Sequence, residues 1–126
     1  MKWSAAMIDK IKRKFRYAYN GMIHGIKYDS SIRTQFFFAI AAIIVSIIFR
    51  FTPEEFSIVL LFCALILGLE YTNSSIERIM NLEEPEISKA VKHIKDMAAA
   101  GVLIASVFAL FVGIMFILRH ITGGLF

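Results

Sequence analysis

Glu70, Asn73 and Glu77 stand three and four residues apart in a stretch of chain that is otherwise almost free of charge. At about 100° per residue the three side chains fall within roughly 60° of one another on a helix, so one face carries two carboxylates and an amide. An ionisable side chain in a segment apolar enough to enter a membrane is costly, and it is a candidate for chemistry by default. A carboxylate partly withdrawn from water can serve as a general base near neutral pH, and Glu70, deeper in the apolar stretch, is the candidate. Glu77 lies nearer its polar end, where a magnesium ion on phosphate oxygens needs only one or two protein carboxylates. Lys95 and Asp96 follow eighteen residues beyond Glu77, just ahead of another apolar run. Lys95 offers a point charge for phosphate. Phosphoryl transfer asks mainly for positioning and charge neutralisation, which so small a set can supply. The spacing equally admits a structural ion network between helices, or an ion or proton pathway in a small transporter or a non-enzymatic assembly factor.

These groups need helices to hold them, and the hydropathy pattern supplies candidates. Thr34–Phe49 is uncharged and bounded by Arg33 and Arg50. Its 16 residues reach about 24 Å as a helix, and the flanking arginines can snorkel to cover the rest of a ~30 Å bilayer core. Thr52-Pro53-Glu54-Glu55 then reads as a helix start, with Thr52 as cap, Pro53 at the first helical position and Glu55 closing a capping box. This helix runs to about Met80 and carries Glu70 and Glu77. Met97–Leu118 has no charge over 22 residues and spans easily; its helix is expected to begin upstream, near Pro85-Glu86, after a turn at Asn81–Glu84. Ahead of the spans, Trp3, Met7, Ile11, Phe15, Ala18, Met22 and Ile26 recur every three to four residues among Lys10, Lys12, Arg13, Lys14 and Arg16. That is the pattern of an amphipathic helix lying in the membrane interface. Gly21 and Gly25, one turn apart on it, would let another backbone come close.

The expected architecture is therefore an all-α membrane protein: one domain over 1–126, a surface helix at about 3–28, and spans at about 33–50, 54–80 and 95–119. At 58% hydrophobic and 19% charged residues, the chain is too apolar for a soluble domain of its size. Eight basic residues precede the first span and four lie between the second and third, against only Arg50 and Arg119 on the other side. The positive-inside bias then sets the N-terminus in the cytoplasm. Orientation and anionic lipid account for the basic residues, so no nucleic-acid partner is expected. Cys63 is the only cysteine, which excludes an intrachain disulfide. No secretory leader, Walker-type phosphate loop, His/Cys metal cluster or nucleophile elbow is visible.

Two blocks narrow the readings. Glu70-Tyr71-Thr72-Asn73-Ser74-Ser75-Ile76-Glu77 and Lys95-Asp96-Met97-Ala98-Ala99-Ala100-Gly101-Val102-Leu103 resemble the prokaryotic diacylglycerol kinase family, which includes the undecaprenol kinases. The family pattern is E-x-x-N-[ST]-[AS]-I-E followed by K-D-[MV]-[AG]-[AS]-x-[AG]-V-L at similar spacing. A weaker block runs from Phe15-x-Tyr17-Ala18 through Gly21, then from Asp29 to Arg33, so the likeness extends over about residues 10–118. The resemblance implies a multi-pass protein of the bacterial inner membrane. It implies a homotrimer whose composite active sites move the γ-phosphate of ATP, with Mg2+, onto a membrane lipid alcohol. It makes Glu70 the base toward the lipid hydroxyl, Glu77 and Asp29 the metal carboxylates, and Asn73, Lys95 and Asp96 essential polar groups around the phosphates. Lys10 and Tyr17 become nucleotide contacts on the surface helix. Glu86 and Ser88 fall in the loop that touches the nucleoside, and Arg33 and Ala99 near the lipid head.

The chain departs from the family at several of these points. Asp29 stands where a glutamate is usual, one methylene shorter. Lys10 replaces an arginine, Asn81 an aspartate, and Ile87-Ser88 a Tyr-His pair. The core set of Glu70, Asn73, Glu77, Lys95 and Asp96 is intact.

Overall fold

In a computed structural model, which describes residues 2–83 and 88–124, the chain is helical almost throughout: α1 (Lys2–Tyr28), α2 (Ser30–Ile48), α3 (Pro53–Glu83) and α4 (Lys89–Ile121). α2, α3 and α4 are each long and apolar enough to cross a membrane. α3 packs on both α2 and α4, and α1 adjoins α2. At 19 residues α2 is about 28 Å long, whereas the 31 residues of α3 and 33 of α4 reach about 46 and 50 Å. The surplus length of α3 and α4 projects at the end where α1 meets the bundle, and it carries Glu77, Asn81 and Lys95.

The local signals explain where each helix begins and ends. Thr52 and Glu55 form the expected capping box: the Glu55 amide donates to Thr52 Oγ1 (3.2 Å) and the Thr52 amide to Glu55 Oε1 (2.8 Å). α2 starts four residues earlier than its apolar run, because Asp29 caps it by accepting from the Ile32 amide at 3.1 Å. α4 starts at Lys89, with Ser88 as cap, its hydroxyl accepting from the Val91 amide at 3.1 Å; Pro85-Glu86, the expected start, lie outside the described residues. α2 ends before Arg50, which takes the left-handed conformation (φ 56°) while the Arg50 and Phe51 amides return to the Ile47 and Ser46 carbonyls. That is the usual glycine-terminated stop, made here with an arginine.

Little apolar surface is covered within the chain. Among the described residues Ile32, Val91, Val102 and Ala105 are the buried apolar side chains, while Phe37, Phe38, Ile47, Leu61, Leu103, Phe108 and Phe111 all stand exposed along the spans. A soluble protein does not leave such faces to water. On α1, Met7, Ile11, Phe15 and Met22 of the expected apolar stripe are likewise exposed.

Candidate functional site

Glu70, Asn73 and Ser74 are buried, at 5%, 8% and 5% exposure, whereas Glu77 one turn further on is open to solvent. Burial follows from packing: the stripe of α3 that bears Glu70 turns toward the start of α2, while Glu77 lies on the part of α3 that outruns it. The Asn73 and Gln35 side chains neighbour the Glu70 carboxyl, and Asp29 and Glu77 are close enough for their charges to act on it. No cation pairs with Glu70 among the described residues. Asn73 Oδ1 is buried without a hydrogen-bond partner, an open acceptor beside the carboxylate.

Asp29 holds two positions at once. Its Oδ1 caps α2, and its Oδ2 lies 3.8 Å from Arg78. Burial alone would raise its carboxyl; the Ser74 hydroxyl, the Ile32 and Ser31 amides and the Arg78 charge together outweigh that and hold it below the usual carboxylate range. Among the described residues no three His, Cys, Asp or Glu side chains come together as a metal cage. Glu77, with no ion pair or hydrogen bond among the described residues, is the carboxylate free to meet a magnesium ion that takes most of its ligands from phosphate and water. Asp29 has already committed one oxygen.

Lys95 reaches the same stripe one turn beyond Glu77, where its ammonium donates to Asn81 Oδ1 at 2.5 Å. The family's usual aspartate would form an ion pair here; the amide holds the lysine without neutralising it. The other expected site residues stand apart within the chain. Asp96 is exposed and bonds Lys92 at 2.7 Å along its own helix. Ala99 is exposed one turn later. Lys10 and Tyr17 are exposed on α1, with the Arg16 guanidinium over the Tyr17 ring at 5.8 Å. Arg33 donates to the Ile26 and Lys27 carbonyls, both at 3.0 Å, and so caps the C-terminus of α1. Ser88 is spent on the start of α4. Glu86 lies outside the described residues.

Sequence reasoning passed over Gln35, Tyr71, Ser74 and Arg78. A glutamine in an otherwise apolar span was the available signal for the first. Tyr71 and Arg78 directly follow Glu70 and Glu77, and so repeat their seven-residue spacing on an adjacent face. At Gly25 it is not a backbone that comes close but the Tyr71 ring and the Ile32 side chain, the latter 2.9 Å from where a Cβ would stand; Gly21 faces open space.

An apolar groove of about 520 Å³ runs between α2, α3 and α4. Gln35, beside Glu70, lines one end and Phe51 the other, with Phe38, Phe62 and Ile66 between. Residues 16–117 match the family model described as prokaryotic diacylglycerol kinase. Every carried-over position except Lys10 lies within that segment. No curated protein gives a significant match.

Proposed function

The chain belongs to the prokaryotic diacylglycerol kinase family, a family of lipid kinases, and on that premise we propose that it transfers the γ-phosphate of ATP to the primary hydroxyl of undecaprenol or of diacylglycerol. The observation that carries this reading is the state of Glu70: a carboxylate 5% exposed, flanked by amides and left without a cation. A structural network would have neutralised it. An unpaired buried carboxylate beside an open acceptor is suited to take a proton from a hydroxyl.

In this mechanism Glu70 accepts the proton of the lipid hydroxyl. The lipid oxygen forms its bond to the γ-phosphorus in line with the departing bond, and ADP leaves with that bonding pair, without a phosphoenzyme. Asn73 holds the Glu70 carboxyl in place. Lys95 spreads its charge over the phosphates from its seat on Asn81. Glu77 would hold magnesium, which when bound offsets the charge on the nucleotide. The groove that begins at Gln35 supports a lipid acceptor, since it offers an apolar chain a bed that ends beside the base. Among the described residues Lys10, Tyr17 and Asp96 make no hydrogen bond or ion pair with Glu70, Asn73 or Glu77, which supports composite sites in a homotrimer, completed by neighbouring copies. The charge bias supports an N-inside orientation in the bacterial inner membrane.

The test is phosphate transfer from γ-labelled ATP by purified protein in detergent with magnesium, with undecaprenol and diacylglycerol offered separately and Glu70→Gln as control. Label entering one lipid, and lost in the variant, supports the reading and names the acceptor. Label in neither lipid from folded, trimeric protein overturns both acceptors, in favour of a different lipid alcohol or of an ion-coupled transporter or assembly factor.

A further inference from the structure

α1 is exposed over most of its length and meets the rest of the chain through its last two turns. A helix C-terminus leaves its final carbonyls without partners and concentrates partial negative charge there. Two side chains of α3 reach this part of α1, Arg78 at the final carbonyl and Tyr71 at a carbonyl nearly two turns inside the helix. The Tyr71 hydroxyl donates to the Met22 carbonyl at 2.6 Å. Arg78 Nη2 donates to the Tyr28 carbonyl at 3.4 Å and lies 3.8 Å from Asp29 Oδ2, while Nη1 donates to His24 Nε2 at 3.1 Å. A guanidinium has only donors, so His24 must accept at Nε2 and carry its proton on Nδ1. The Tyr71 ring also fills the space that Gly25 leaves open.

The register of these two residues is informative. Each sits one position after a carboxylate of the reactive face, Glu70-Tyr71 and Glu77-Arg78, seven residues apart. The same two turns of α3 therefore present carboxylates on one face and clamp α1 with the adjacent one. Any rotation or slip of α3 that moved the carboxylates would move the clamp with them.

We propose that Tyr71 and Arg78 are positioning residues that lock α1 onto the carboxylate-bearing turns of α3 and thereby fix where the nucleotide-binding side chains of α1 stand. The assignment rests on the kinase reading for its functional consequence, but the joint itself does not. Arg78 acts through its planar fork, because two acceptors in different directions, with a carboxylate at 3.8 Å beside them, need rigidly spaced donors. A lysine supplies the charge and not the fork.

The experiment compares wild type, Tyr71→Phe, Arg78→Ala and Arg78→Lys in two measurements. Steady-state transfer from ATP gives KM for nucleotide, KM for lipid and kcat, and hydrogen–deuterium exchange follows the amides of residues 19–29. Tyr71→Phe keeps the ring against Gly25 and removes only the bond to Met22, so it is the variant least able to disturb folding. The expected result is faster exchange in that segment for all three variants. Nucleotide KM rises about tenfold in both Arg78 variants, as when the competent orientation falls to roughly a tenth of the population, and less in Tyr71→Phe. Lipid KM and kcat stay within about twofold, a split that general loss of structure would not produce. Wild-type nucleotide KM in Arg78→Lys, or unchanged exchange in all variants, would overturn the proposal. If wild type transfers no phosphate, the kinase reading fails by itself, and the exchange measurement alone still decides whether the joint exists.

Discussion

α3 buries two glutamates to nearly the same depth, one in its first turn and one near its middle, and surrounds them in opposite ways. Glu55 is 3% exposed. Its Oε1 accepts from the Thr52 amide and from His120 Nε2, at 2.8 and 2.7 Å, and Arg119 lies 4.0 Å from Oε2. Phe51 stacks on the His120 ring at 5.3 Å and meets Phe116 edge-on at 5.6 Å, closing the cluster over. Glu70, at 5% exposure, has amides for neighbours and two further carboxylates within range. Burying a charge is costly unless it is paired and hydrogen-bonded. The Glu55 site meets much of that cost, through two hydrogen bonds to Oε1 and two basic side chains, although Oε2 is buried without a hydrogen bond among the described residues, and it gains a fastening between the α2–α3 turn and the last turn of α4. The Glu70 site has no cation to offset it among the described residues, and that is where the proposed catalytic groups stand. Depth alone does not separate a structural carboxylate from a chemical one; the partners do.

Exchanging the effects of the two glutamates is the sharpest way to break this comparison. Glu70→Gln should lower phosphate transfer by about 10²- to 10⁴-fold, the usual worth of a positioned base, with thermal unfolding in detergent unchanged or slightly later. Retained turnover would remove the base role. Glu55→Ala should do the reverse. It strips His120 and Arg119 of their partner and opens the capping box, for a loss of about 2–3 kcal/mol in stability by denaturant titration, while kcat of the folded fraction stays near wild type. A large fall in kcat with unchanged stability would make the two sites alike.

A smaller effect is expected at the exposed carboxylate. Glu77→Gln should raise both the magnesium concentration for half-maximal rate and KM for ATP by roughly tenfold or more. An unchanged magnesium titration takes Glu77 out of the metal site. The smallest concerns Asp29, whose folded carboxyl is held below its ordinary value. Its stabilisation is fully present above about pH 4, the ordinary carboxylate value, and is lost as pH falls through the lower value of the folded state. Asp29→Ala should cost about 1 kcal/mol at neutral pH as a lost cap and flatten the acid side of the stability profile; Asn, itself a good cap, should flatten the profile with little loss at neutral pH. An unchanged acid limb in both would discount the Arg78 and Ser74 contacts.

Several of these features are legible in the order of residues alone. The Thr52–Glu55 capping box is made by neighbours in the chain, and the stripe of Glu70, Asn73 and Glu77 follows from helical period. The caps Asp29 and Ser88 carry a local signal too, since each directly precedes a helical pattern. It is overshadowed at Asp29 by the apolar run that begins at Thr34, and at Ser88 by Pro85, itself a helix-start residue. No local rule, by contrast, joins Glu55 to His120 across 65 residues, or Arg78 to His24 across 54.

By itself the sequence determined the number of helices, the apolar faces that suit them to a bilayer, and the shared face of Glu70 and Glu77. All of these follow from composition and from periods of three to four residues, which act between near neighbours. Only the tertiary structure decided which glutamate gains basic partners and which has amides alone, that Lys95 rests on Asn81, and that Tyr71 and Arg78 hold α1. Those outcomes depend on how long helices pass one another, and a side chain's partner across a helix–helix contact is set by crossing and register rather than by the residues beside it in sequence.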